Sequence, residues 1–86
     1  MKGVVAMTVR YNRERTFKVW ELNKVWYAVE TKHIVKGKLA VPYKECLHAQ
    51  SKDDIVDLIV ARCKFDELVD NGMDRAKAAS VALFGE

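Results

Sequence analysis

The chain has 86 residues, 50% of them hydrophobic and 31% charged, with a formal net charge of +3. This composition fits one folded domain spanning 1–86 and excludes a disordered tract, while four Gly and one Pro exclude a collagen-like repeat. No stretch approaches the roughly 18 apolar residues of a membrane span, and residues 1–7 are too short for the apolar region and cleavage site of a signal peptide, so the expected location is cytoplasmic with no membrane contact.

The first half reads as strands. From Val4 to Tyr11 the residues Val5, Met7, Val9 and Tyr11 fall on one side of a period-two pattern; Met7 also offers a second possible start of the chain. Asn12 to Arg15 is polar and suits a turn. Thr16–Leu22 and Val25–Thr31 follow, separated only by Asn23-Lys24, which predicts a hairpin with a two-residue loop. In that register Trp20 shares a face with Tyr27, while Phe17, Val19, Trp26 and Ala28 share the other. Both faces are substantially apolar, so helices packed on one side would leave aromatic surface on the opposite side. Gly37 predicts a further turn between Val35 and Leu39, with a short strand to Val41 that ends at Pro42. Tyr43 to Gln50 fits either another strand or an extended approach to the first helix.

The second half reads as helices. Ser51 is an N-cap followed by Asp53 and Asp54 in the first turn, where the helix dipole favours carboxylates. Ile55, Val56, Leu58, Ile59, Val60 and Cys63 form a broad apolar face, which then moves round to Phe65, Leu68 and Val69 and leaves Asp66, Glu67 and Asp70 toward water. That shift predicts a kink near Lys64 or a helix gripped on two sides. Asn71-Gly72 is a stop signal, and Asp74 caps a last helix expected to bury Met73, Ala76, Ala79 and Leu83. The stretch Leu68-Val69-Asp70-Asn71-Gly72-Met73, with Ala78 and Ala82-Leu83 after it, resembles the L-x-x-M-G-F…A…AL turn of ubiquitin-associated domains. Asn71 and Met73 stand where that motif has Met and Phe, and the resemblance assigns no family. The same stretch is similar to a helix-turn-helix, with only Arg75 and Lys77 offered to a groove.

The fold expected is therefore α+β: an antiparallel sheet of three or four strands over 1–50, packed by two or three helices over 51–86. Charge divides along the same line. Residues 1–44 hold ten Lys and Arg against three acids, and residues 45–86 hold five against nine; six of the eight aromatics lie in the basic half. Cys46 and Cys63 permit one disulfide at most, and two reduced thiols in a cytoplasmic protein are the expected state. A chain this short buries only about 60–65% of its unfolded surface, so a homodimer stays open as a way to bury more.

Catalytic motifs are missing. There is no phosphate loop, no GxGxxG, no GxSxG and no HExxH, and the glycines are scattered. Cys46, His48, Cys63 and His33 lack the paired spacing of a zinc site, and no third group orients a Cys–His nucleophile. The expectation is a non-enzymatic binding module with no cofactor and no metal.

Three functions are consistent with this reading. The first is binding of nucleic acid, or of a nucleic-acid-handling complex, by a basic aromatic sheet. Arg10, Arg13, Arg15, Lys18, Lys24, Lys36 and Lys38, with Lys32 and Lys44, would meet phosphates, and Trp20 with Tyr27, or Trp26 with Phe17, would stack on bases. Exchange of Lys36 and Lys38 for Glu is then expected to weaken binding without unfolding the domain. The second is a small phage or mobile-element protein that inhibits a host defence protein by occlusion, through an acidic face of Asp57, Asp66, Glu67 and Asp70. The third is a homodimeric structural accessory protein that covers its second sheet face with itself.

Overall fold

The computed structural model describes residues 6–85, so Val4, Val5 and the alternative starts at Met1 and Met7 bear on a segment that lies partly outside the described residues. Four strands, β1 (Ala6–Arg10), β2 (Thr16–Leu22), β3 (Val25–Glu30) and β6 (Leu47–Ala49), form an antiparallel sheet in the order β1-β2-β3-β6. Between β3 and β6 the chain makes a 3₁₀ turn (Thr31–His33), a separate two-stranded hairpin of β4 (Ile34–Val35) and β5 (Lys38–Leu39), and a second 3₁₀ turn (Tyr43–Glu45). The helices α1 (Lys52–Asp70) and α2 (Arg75–Phe84) complete the α+β domain.

The β2–β3 hairpin has the register expected of a two-residue loop, with Leu22 opposite Val25, Trp20 opposite Tyr27 and Val19 opposite Ala28. Asn23 and Lys24 both adopt the left-handed conformation, at φ 53° and 66°, as the type I′ turn between twisted strands requires. A lysine is strained there. Replacing Lys24 by Gly is expected to relieve that strain and, after the added freedom of the unfolded chain, to stabilise the domain by about 0.5 kcal/mol, raising Tm by about 2–4 °C in a thermal melt. In the β4–β5 turn Lys36 and Gly37 repeat the same pair of left-handed conformations. At the β1–β2 turn Asn12 Oδ1 accepts from the backbone N–H groups of Glu14 and Arg15, both at 2.9 Å, which closes the chain locally.

Alternation places Met7 and Val9, Phe17 and Val19, Trp26 and Ala28, and Leu47 and Ala49 on the inner face, against α1. Ile55, Ile59 and Cys63, one helical turn apart, meet Phe17, Val19 and Ala28 to make the centre of the core. Val19, Ala28, Ile55, Ile59 and Cys63 have no exposed surface. Each large apolar side chain buried in this way contributes about 1.5–3 kcal/mol. Ser51 Oγ accepts from the Asp54 N–H at 3.1 Å and Asp74 Oδ1 from the Lys77 N–H at 3.2 Å, so both helices carry side-chain N-caps, with Asp53 and Asp54 in the first turn of α1. The C-terminus of α1 closes through two reversed bonds, Gly72 N–H to Val69 O and Met73 N–H to Leu68 O, both 3.0 Å, with Gly72 at φ 98°.

Of the kink and the two-sided grip expected near Lys64, the structure shows the grip: α1 runs unbroken and is held between the sheet and α2. Other expectations are corrected. α2 packs on α1 through Ala78, which is fully buried; Ala76 and Leu83 are exposed and only Met73 and Ala79 are half-buried. Six of the ten residues of α2 are small or β-branched (four Ala, Ser80 and Val81), so periodicity alone does not choose its face. The strand expected to reach Val41 ends at Leu39, β3 ends at Glu30 rather than Thr31, and Tyr43 to Gln50 divides into a 3₁₀ turn followed by β6.

Candidate nucleic-acid interface

The outer face of the sheet is built by the residues that alternate with the core. Register aligns Trp20 on β2, Tyr27 on β3 and His48 on β6 in one row that crosses three adjacent strands. Trp20 and Tyr27 lie nearly parallel, 20° between planes and 5.8 Å between centroids; His48 stands 6.5 Å beyond Tyr27. After β5 the chain returns over this face, and the turn following Pro42 sets Tyr43 against both rings, at 6.0 Å from Trp20 and 5.2 Å from Tyr27. Tyr43 is therefore part of the aromatic cluster and is more open than Trp20 and Tyr27, at 49% exposure.

One register step away, Thr8, Lys18 and Val29 form the next row, with Lys18 Nζ donating to Thr8 Oγ1 at 3.4 Å; Arg10 and Thr16 form the row after that. Arg10 turns its Nε toward the carbonyl of Asn12 at 3.2 Å. Among the described residues at the strand positions of this face there are two cations and no carboxylate, because Glu21 and Glu30 fall on the inner side. Glu45, though adjacent to Lys44, lines a groove with Glu30 and Leu47. Arg13, Lys24, Lys36 and Lys44 are exposed on turns, and Lys38 is exposed on β5.

Three of the residues expected at the interface, Trp26, Phe17 and Arg15, are elsewhere. Trp26 lies on the inner face against the core, and Phe17, four residues further along the hairpin on the same face, is buried, so that pair is not a stacking surface. Arg15 is bound on three sides. Its Nε and Nη2 donate to the two carboxylate oxygens of Glu30 at 3.1 and 2.8 Å, its Nη1 donates to Asp66 at 2.9 Å, and its guanidinium lies 5.5 Å from the centroid of Phe17. This clamp joins the sheet to α1. The Arg15 bonds hold the Glu30 carboxyl below the usual carboxylate range, against the opposing effect of burial.

The acidic face expected on α1 is divided in the same way. Asp66 is taken up by Arg15 and by Arg62 at 3.5 Å, and Glu67 accepts from the Tyr11 hydroxyl at 2.9 Å, a bond that raises the pKa of the phenol. Asp57 and Asp70 have no ion-pair partner among the described residues. Both cysteines are free and buried, and burial pushes both thiols up, so neither is an activated nucleophile at neutral pH. His48 on the outer face and Cys63 beneath the inner face are separated by the sheet.

Tyr43 and His48 are the residues that sequence reasoning missed. His48 was legible as the outward member of an alternating Leu47-His48-Ala49 triplet, whereas nothing local reports that Tyr43 folds back onto Trp20. Comparison of the chain with protein-family models, with curated proteins and with solved structures finds no match. No helix among the described residues is long and apolar enough to cross a membrane.

Proposed function

We propose that this protein is a non-catalytic module that binds nucleic acid through the outer face of its sheet. The observation that carries the reading is the row of Trp20, Tyr27 and His48, topped by Tyr43, next to Lys18 and Arg10 on a face whose described strand positions carry no carboxylate. Aromatic rings give bases a stacking surface and cations meet phosphates; acids would oppose both by repelling the backbone. Two buried, unbridged thiols support a reducing compartment such as the cytoplasm.

Lys18→Ala tests this directly, because Lys18 is exposed and its loss leaves the core untouched. The expected outcome is weaker binding across all sequences, with the slope of log affinity against log salt reduced by about one, and an unchanged circular dichroism spectrum. Unchanged affinity and slope would count against the outer face.

The reading as an occluding inhibitor of a protein partner rests on a different place. Leu58, Val60, Ala61, Ala82 and Leu83 line an open groove between α1 and α2, bordered by Asp54 and Asp57, and Leu83 and Phe84 are 59% and 76% exposed beside it. Binding that is insensitive to Lys18 and lost on Leu83→Asp would favour that partner. A monomer–dimer shift with concentration would favour the homodimer instead.

A further inference from the structure

We infer that the ligand of the outer face is a single strand, with Tyr43 as the residue on which a base stacks; this rests on the nucleic-acid reading above and specifies its substrate class. A duplex hides its base faces and presents only edges, at the floor of grooves. Reading those edges needs an element that enters a major groove about 12 Å wide and 8.5 Å deep. The outer face offers none. Both helices belong to the opposite side of the sheet, and the paired part of the β4–β5 hairpin is two residues long, about 7 Å.

What the face does offer is rings and a small number of charges. The ring row crosses three strands, a span of about 10 Å, which accommodates roughly three bases at a stacking distance of 3.4 Å. The row of Lys18 lies two residues along the strands, about 7 Å away; Val29 in it is buried, and Thr8 and Lys18 are exposed. Tyr43 stands at about 60° to both Trp20 and Tyr27, so its own ring plane is not consumed in a parallel stack, and half of its surface is open. Pro42 enters the turn in an extended conformation at φ −64°, and the Cys46 N–H closes the turn onto the Tyr43 carbonyl at 3.0 Å, which fixes the backbone that presents the ring. Two cations on the face suit a strand held mainly by stacking; a duplex held by its phosphates alone needs more contacts than these rows provide.

The test is fluorescence anisotropy at low salt with labelled oligothymidylate and oligouridylate of about 12 nucleotides, within the usual single-strand site sizes, and a DNA duplex of the same length. Wild type, Tyr43→Ala and Tyr43→Phe are compared. The single strands are expected to bind about tenfold or more tighter than the duplex, Tyr43→Ala to lose about tenfold on the single strands, and Tyr43→Phe to keep most of the affinity. The DNA and RNA arms distinguish the two sources of such a strand. Equal or tighter binding of the duplex would overturn the single-strand inference while leaving nucleic-acid binding standing. Tyr43→Ala binding like wild type would overturn the role of Tyr43. Binding of none of the three oligonucleotides would overturn the proposed function itself.

Discussion

Ile59→Ala is expected to cost about 2–5 kcal/mol and to lower Tm by roughly 10–30 °C. Ile59 is fully buried where α1 meets Phe17, Val19 and Ala28, with Ile55 and Cys63 a turn to either side, so the cavity left by three carbons has rigid walls. A domain of this length has a total stability of about 4–13 kcal/mol, so the variant loses a large share of it. Leu83→Ala, at an exposed site on α2, is expected to change stability by no more than about 0.5 kcal/mol. Thermal and urea unfolding followed by circular dichroism measure both. Equal shifts for the two variants would contradict the placement of the core between the sheet and α1.

Arg15→Met is the second large effect, about 2–3 kcal/mol. Removing one member of a buried ion pair costs about 3–5 kcal/mol when burial is complete. Here the Arg15, Glu30 and Asp66 side chains keep 21%, 12% and 31% of their surface, so solvent screening reduces that cost. The variant leaves the Glu30 carboxylate only the exposed Lys32, at 3.8 Å, while Asp66 keeps Arg62. The effect has a pH signature. In the wild type the folded-state pKa of Glu30 is depressed, chiefly by its bonds to Arg15, so its contribution is fully present above the ordinary carboxylate value near about 4.3 and is lost as pH falls through the folded value. In Arg15→Met the half-buried carboxyl loses its main partner, so its folded pKa rises relative to the wild type and less stability is lost on acidification toward pH 4. The stability gap between the two proteins should therefore narrow on going from pH 7 to pH 4 in urea titrations. A gap that stays constant or widens would show that the Arg15–Glu30 bonds do not govern this dependence.

The same arginine shows where reading the sequence reaches its limit. The two-residue loop at Asn23-Lys24, the caps at Ser51 and Asp74 and the Asn71-Gly72 stop are all local signals, and the structure places the hairpin, both helix starts and the α1 terminus at those residues. The facing of Trp20 and Tyr27 away from Phe17, Val19 and Ala28 followed from period-two alternation once the loop set the register. Arg15 counted as one more cation in a basic half, because composition does not distinguish a charge met by Glu30 and Asp66 from one facing water. Its partners lie 15 and 51 residues away. Tyr43 escaped for a related reason: a 3₁₀ turn has no long period to read, and its partners Trp20 and Tyr27 belong to strands completed well before it. In α2, alanines at several phases fit either face, and docking against α1 selects Ala78.

The placement of one tryptophan on each side of the sheet makes the central claim measurable with a single probe. Trp26→Phe leaves Trp20 as the sole tryptophan, on the outer face, and circular dichroism checks that the variant is folded. Its fluorescence is followed during titration with oligothymidylate at rising salt. The expected result is saturable quenching of Trp20 that weakens as salt increases, with the modest slope that two cations on the face imply, and with little change from Trp26 in the complementary Trp20→Phe protein. No change in Trp20 emission at low salt would contradict the outer face as a nucleic-acid platform.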